Sequence, residues 1–184
     1  DYHALTLANA VYGGGFGTRL NLNLREDKGW SYGVFAFPQH FEKGGLWVAS
    51  GGVQTNKTKE SAAEFMKELK YLAGEKPISE KEFSQARLAK IRGYAQQFEG
   101  YQRVAQQIGD LWIAGLPMTD LQSETDELGK QAIERVNAVA AKYAAPANSS
   151  ILLVGDLTKI EAGIRELNLG EVVILDVEGK PVQR

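Results

Sequence analysis

The sequence has 184 residues, of which 43% are hydrophobic and 24% charged, with a net charge of −2 and no cysteine. This composition is typical of one globular domain that can bury its core without a disulfide or a metal. It excludes disulfide frameworks, thiolate zinc sites and cysteine nucleophiles. The basic residues form no cluster, which argues against nucleic acid as a partner. No apolar run approaches the roughly 20 residues needed to span a membrane.

The first thirty residues predict two helices separated by a glycine-rich turn. Residues 2–12 carry apolar side chains at helical spacing, and the glycines at 13–15 end this helix. Thr18 can cap a short second helix that continues to about Asp27. Gly29 then ends this second helix and allows the chain to reverse.

A β-hairpin is predicted next. Residues 31–37 alternate in a way that places Tyr32 on the same face as Val34, and residues 46–53 form the second strand. Residues 38–45 contain turn-forming residues and are predicted as a long loop.

The remaining sequence is largely helical. Apolar periodicity predicts helices over 58–73, 79–98, 101–114, 131–143 and 158–167. Capping boxes are predicted at Ser79–Glu82 and Thr119–Gln122, and short strands over 150–154 and 172–177. The mixture predicts an α+β fold with a mainly antiparallel sheet and helices packed on one face.

Known catalytic motifs are absent from the sequence. His3 is followed by ALTL and His40 by FEKG, so neither begins H-E-x-x-H or H-x-x-E-H. The glycines over 13–17 match neither a phosphate loop nor a dinucleotide-binding turn. The sequence therefore predicts no metal or cofactor site in this chain, and a structural role for the glycine turn.

Arg25 and Tyr32 form a polar pair that suits a peptide substrate. Arg25 lies at the end of the short helix, Tyr32 follows seven residues later, and Gly29 between them lets both side chains meet over one cleft. A guanidinium can bind backbone carbonyls, and a phenol can stabilise a carbonyl oxygen that gains charge. Physical reasoning alone favours the alternative, in which Arg25 pairs with Glu26 or Asp27 on the surface and Tyr32 is a half-buried strand residue.

Several short motifs carry a family resemblance. They are Asn9-Ala10, Gly13-Gly14-Gly15-Phe16, Thr18-Arg19-Leu20, Arg25-Glu26-x-x-Gly29-x-x-Tyr32, Gly52-Val53-Gln54-Thr55, Gly115-Leu116-Pro117 and Tyr143-Ala144-x-Pro146-x-Asn148 before Val154-Gly155-Asp156. In these features the sequence resembles the C-terminal-type, inactive domain of the M16 zinc metallopeptidases. This family includes pitrilysin, insulin-degrading enzyme and mitochondrial processing peptidase.

The resemblance implies that this domain is one half of a clamshell built from two homologous units. The other unit, in the same polypeptide or a partner subunit, would hold zinc on an H-x-x-E-H motif. This chain would contribute Arg25 and Tyr32, which hold a peptide substrate and help polarise its scissile carbonyl. The second strand, 46–53, would belong to the sheet facing the chamber. The cleft wall would be formed by Gly13, Gly14, Gly15 and Phe16. No zinc or other cofactor is expected in this chain, which should be inactive alone.

The resemblance also has departures. The family's unit usually begins with one or two strands ahead of the helix at 2–12, and these are missing here. We therefore expect residues 1–184 to be a single M16 C-terminal-type domain truncated at its N-terminus. Its sheet would have an exposed edge or be completed by a neighbouring chain. The tail over 169–181 resembles the end of bacterial envelope members, so the periplasm is the expected location, with the cytoplasm as the alternative.

Two other functions remain open. The domain could be a structural or assembly module with an M16 fold and no proteolytic role, in which case the Arg25–Tyr32 pair is incidental. An independent enzyme could use carboxylates such as Glu42 or Glu99, although no paired acids occur in a recognisable site. An H-x-x-E-H motif in a fused or neighbouring segment would favour the peptidase half.

Overall fold

The computed structural model describes residues 1–182 and confirms an α+β fold with a two-stranded antiparallel sheet. In chain order, the elements are α1 (Tyr2–Tyr12), α2 (Arg19–Asn21), β1 (Ser31–Phe41), β2 (Gly44–Val53), α3 (Thr58–Lys70), α4 (Glu80–Gly93), α5 (Tyr101–Ile113), α6 (Asp120–Lys130), α7 (Ile133–Tyr143) and α8 (Leu157–Glu166). π-Helical turns extend α2 over Leu22–Asp27 and α3 over Tyr71–Glu75, and a 3-10 turn extends α4 over Tyr94–Phe98. Two further 3-10 turns span Thr55–Lys57 and Pro146–Asn148.

Helix α1 forms the centre of the core. It packs against α4, α6 and α7 and against the inner face of β1. Leu7, Ala8 and Tyr12 are almost completely buried, and apolar residues occupy most of its circumference, as expected for an interior helix. Leu24 and Val34 join the same core, so the short helix and the hairpin are both anchored on α1.

The hairpin is longer than predicted. Its strands pair from Ser31 opposite Val53 to Phe41 opposite Gly44, so the turn is at residues 42–43 and the predicted loop over 38–45 is wrong. Pro38 is tolerated within β1 because alternate residues of a strand direct their backbone groups to the same edge. The N–H groups of Val34 and Ala36 bond to groups outside the sheet, so the N–H that Pro38 lacks would also point away from β2.

The two predicted late strands are also wrong. Residues 150–154 have no strand partner within residues 1–182, and Val154 is exposed. Over 172–177 the described chain shows only an isolated bridge between Leu175 and Pro181. Apolar, β-branched composition yields a strand only where a neighbour supplies hydrogen bonds and packing.

The predicted helices form, but only one of the capping motifs does. The Ser79 hydroxyl accepts from the Glu82 N–H, and the Glu82 carboxylate accepts from the Ser79 N–H at 2.9 Å. The Thr18 hydroxyl donates to the Gly15 carbonyl at 2.6 Å instead of capping α2. Thr119 has a helical backbone and forms no cap, because a capping side chain requires an extended backbone.

None of the helices in residues 1–182 is both long and apolar enough to cross a bilayer.

Candidate functional site

Arg25 and Tyr32 lie side by side at the surface. Arg25 is on the π-helical turn that extends α2, and Tyr32 is the second residue of β1. The Arg25 guanidinium carbon is 5.9 Å from the centre of the Tyr32 ring and 4.9 Å from that of Phe16. Both distances are within the range of cation–π contacts. The structure thus brings together the two predicted residues, and Phe16 joins them; these three residues are called the Arg25–Tyr32 site.

Both polar groups of this site are accessible. Tyr32 is 89% exposed, which excludes the alternative of a half-buried strand residue. The Arg25 side chain is 35% exposed, and its Nη1 donates to Glu26 Oε1 at 2.5 Å. The predicted surface pairing with Glu26 therefore occurs together with the contact to Tyr32. Exposed ion pairs contribute at most about 1 kcal/mol, so a ligand carbonyl can compete with Glu26.

A β-bulge sets the direction of Tyr32. Tyr32 and Gly33 together oppose the single residue Gly52, because β1 has one residue more than β2 between the pairs Ser31–Val53 and Val34–Gly51. The predicted alternation, which placed Tyr32 on the face of Val34, is wrong: Val34 is fully buried and Tyr32 is exposed. An extra residue in one strand bends it and turns its side chains to a new direction.

Ser31 holds the bulge in place. Its hydroxyl donates to the Gly52 carbonyl at 2.7 Å and accepts from the Gly33 N–H at 3.1 Å. These two bonds replace ladder bonds that the irregular register removes. Ser31 is therefore a positioning residue for Tyr32, and sequence reasoning missed it because a serine at the start of a strand carries no distinctive signal.

Asn21 fixes the helix of Arg25 against the strand of Tyr32. The Asn21 side chain is fully buried, and its Oδ1 accepts from the Val34 N–H at 2.9 Å. Its Nδ2 donates to the carbonyls of Val34, at 2.5 Å, and of Gly15, at 3.0 Å. The amide thus pairs with β1 as a neighbouring strand would. The available sequence signal was an asparagine next to Leu20 on the apolar side of the short helix.

The glycine turn lies against the outer edge of β1. The Gly13 carbonyl accepts from the Ala36 N–H at 2.8 Å, and a Cβ on Gly13 would lie 2.6 Å from the Ala36 Cβ. Gly13 is therefore required for close packing and is buried, whereas a Cβ on Gly15 would meet no atom within 4 Å. Among the four predicted wall residues, Phe16 is the one in contact with Arg25.

Arg19 anchors the short helix on the start of α4. Its Nε and Nη2 donate to the two carboxylate oxygens of Glu82 at 2.7 and 2.8 Å. Its remaining N–H groups reach the carbonyls of Lys76 and Pro77. This bidentate bond, with help from Ser79, lowers the pKa of Glu82 to about 2. Arg19 is thus a structural residue of the motif.

The two histidines lie apart from the Arg25–Tyr32 site. Both rings contact Tyr2, with centroids 4.9 Å apart in each case, and His3 Nε2 is 3.0 Å from Glu124 Oε2. Burial raises the pKa of Tyr2 to about 12. Within residues 1–182, no three histidine or acidic side chains are grouped as metal ligands would be.

Residues 1–90 match the model of the peptidase M16 inactive domain. This part of the chain belongs to the M16 peptidase family. The matched residues of this M16 domain include α1, the Arg25–Tyr32 site, the hairpin and α3. No significant match was found among curated proteins.

Three solved structures are similar to the M16 domain. A peptidase M16 inactive domain from Pseudomonas fluorescens is 25% identical with a TM-score of 0.61, and the match covers 77% of this chain and 34% of that one. The chain thus spans about a third of the length of that protein. The inactive peptidase domain of a candidate zinc protease from Bordetella parapertussis is 20% identical, with a TM-score of 0.68 and coverage of 81% and 80%. A candidate zinc protease from Bordetella pertussis is 20% identical, with a TM-score of 0.65 and coverage of 80% and 81%. These two Bordetella structures show the common fold.

Proposed function

We propose that this M16 domain is the non-catalytic, substrate-binding half of a zinc metalloendopeptidase. In this proposal a homologous M16 domain holds the zinc, and this domain binds an extended peptide over it. The observation that carries the proposal is the contact between Arg25 and Tyr32 at an accessible surface, inside the part of the chain that matches the family. The description of similar structures as inactive domains of candidate zinc proteases also supports it.

The two side chains can act on one peptide. Arg25 has several N–H donors, and those not used by Glu26 can bind backbone carbonyls. The Tyr32 hydroxyl can donate to a carbonyl oxygen that gains negative charge as its carbon becomes tetrahedral. The 5.9 Å between guanidinium and ring is less than the length of two residues of extended peptide, at about 3.3 Å each.

The surrounding structure holds this pair in place before a peptide binds. Asn21 links the two elements that carry the pair, and Ser31 fixes the bulge that exposes Tyr32. Gly29, with a φ of 64°, forms the reversal between them in a conformation that L-residues adopt at a cost of about 1 kcal/mol. Such preorganisation favours binding because less conformational freedom is lost when the peptide is held.

The proposal is tested by Arg25→Ala and Tyr32→Phe, assayed together with the zinc-bearing M16 domain on a fluorogenic peptide. We expect each change to lower kcat/KM by about tenfold or more, the scale for losing one donor to a developing oxyanion. Arg165→Ala and Tyr101→Phe are matched controls. Arg165 is also a half-exposed arginine in a local ion pair, and Tyr101 is 96% exposed on α5. Both controls should keep wild-type turnover.

Wild-type turnover in both Arg25→Ala and Tyr32→Phe would refute the proposal and favour the structural module. The same conclusion would follow if the assembly containing this domain had no zinc-bearing M16 unit. The bacterial periplasm remains our proposed location, and cell fractionation would test it.

A further inference from the structure

The outward face of the hairpin carries large apolar side chains that are open to solvent. Phe35 and Phe37 project from β1 on this face, with 39% and 41% of their surface exposed. Val48 of β2 lies directly opposite Phe37 and therefore shares its face. The alternate residues Val34 and Ala36 form the buried inner face. The solvent-facing side of an antiparallel sheet normally carries polar residues. Exposed aromatic rings on that side therefore indicate a binding surface.

Phe16 joins this face to the Arg25–Tyr32 site. Its ring packs edge-to-face on Phe35, with centroids 5.1 Å apart, while the Arg25 guanidinium lies over the same ring of Phe16. Gly33, which follows Tyr32, leaves room for this arrangement. A Cβ there would lie 3.0 Å from the Phe35 ring and 3.6 Å from the Phe16 ring. Hydrogen-bond donors and aromatic rings thus form one continuous surface.

We propose that Phe16, Phe35 and Phe37 form a subsite that binds a bulky apolar side chain of the peptide, aromatic or large aliphatic. The inference rests on the proposed function, because Arg25 and Tyr32 hold the backbone of that same peptide. An extended peptide presents carbonyl groups and side chains in alternation. Its carbonyl groups can therefore bind the donors of Arg25 and Tyr32 while a neighbouring side chain packs on the phenylalanine rings. Residues two apart in an extended chain are about 6.6 Å apart on one face. Phe35 and Phe37 are two residues apart on β1 and therefore have the same spacing as alternate side chains of an extended peptide. A peptide that lies along β1 can thus place an apolar side chain over these two rings.

The test uses the complete zinc-bearing protein with zinc chelated, so that peptides bind without being cut. The probes are fluorescent decapeptides of alanine and serine in which a single Phe, Leu or Asp is moved along the sequence, and affinity is read by anisotropy. At one position we expect the Phe and Leu peptides to bind about tenfold more tightly than the Ala and Asp peptides.

Phe35→Ala and Phe37→Ala should remove this preference and leave the affinity for the all-Ala/Ser peptide within about twofold. Phe41→Ala is the matched control. Phe41 is also exposed, at 51%, but lies at the far end of β1 and should leave the preference unchanged. Thermal unfolding of each variant confirms that it is folded, and Phe37→Ala provides a second test if Phe35→Ala is not.

The outcomes separate this inference from the proposed function. If Arg25→Ala weakens every peptide equally while Phe35→Ala and Phe37→Ala keep the preference for Phe, the subsite is refuted and the proposed function stands. If Arg25→Ala and Tyr32→Phe change neither binding nor turnover, the proposed function fails, and loss of the Phe preference in Phe35→Ala still supports the subsite. Equal affinity of the wild-type protein for Phe and Ala peptides refutes the subsite. This result is also expected if another domain covers the face.

Discussion

Asn21→Ala tests how the two halves of the Arg25–Tyr32 site are held together. The substitution removes an amide that bonds both backbone groups of Val34 and the carbonyl of Gly15. Val34 is fully buried, so its N–H and C=O would lose their partners without gaining water.

The expected loss of stability follows from these bonds. An unpaired buried polar group costs about 1–3 kcal/mol, and Asn21→Ala leaves two such groups on Val34. We therefore expect the free energy of unfolding to fall by about 3–5 kcal/mol. With a urea dependence of about 2 kcal/mol/M, the unfolding midpoint should move down by about 2 M.

The assay is urea unfolding followed by circular dichroism, with Asn23→Ala as the control. Asn23 is on the same short helix, but its Nδ2 bonds the side chains of Glu64 and Glu68 and no backbone group. Glu64 keeps its hydrogen bond from Lys67 Nζ, so the change leaves one buried acceptor, on Glu68, without this donor, and we expect a loss of about 1–3 kcal/mol. If Asn21→Ala costs no more than Asn23→Ala, the clamp does not hold the site together and the reasoning is refuted.

Two further predictions concern the anchor and the bulge. Because Arg19 lowers the pKa of Glu82 from 4.5 to about 2, the stability due to this carboxylate is complete above pH 4.5 and is lost as the pH falls towards 2. Allowing for solvent screening, the free energy of unfolding measured with urea should fall by about 1–2 kcal/mol across this pH range. Glu82→Gln should not show this fall. If the variant keeps the pH dependence of the wild type, the fall does not come from the Arg19–Glu82 pair. Ser31→Ala should lower the free energy of unfolding by about 1–2 kcal/mol and reduce kcat severalfold because Tyr32 loses its position, whereas Ser31→Thr keeps the hydroxyl. Equal kcat for Ser31→Ala and wild type would show that the hydroxyl does not position Tyr32.

Local features of the fold could be predicted from the sequence. The apolar periodicity of residues 2–12 and the capping box at Ser79 depend on neighbours within one or two helical turns, and both are observed. The meeting of Arg25 and Tyr32 could also be predicted, because the reversal at Gly29 lies between them in a short segment.

Features that depend on partners distant in sequence could not be predicted. The bulge at Tyr32 is set by the register with Gly52, and the role of Asn21 by a strand that begins ten residues later. Pro38 indicated a loop, but its position on the outer edge of β1 makes it compatible with the strand. Residues 150–154 have strand composition but no strand beside them within residues 1–182, so composition alone misled.

The central claim is that Arg25 and Tyr32 act together on one bound peptide, and a double-mutant cycle measures this directly. With the proposed zinc-bearing M16 domain present, kcat/KM is compared for the wild type, Arg25→Ala, Tyr32→Phe and the double variant. We predict about a tenfold loss for each single change and clearly less than a hundredfold loss for the double, since groups that share a ligand are not independent. Losses that multiply fully, or single variants that match the wild type, would contradict the claim.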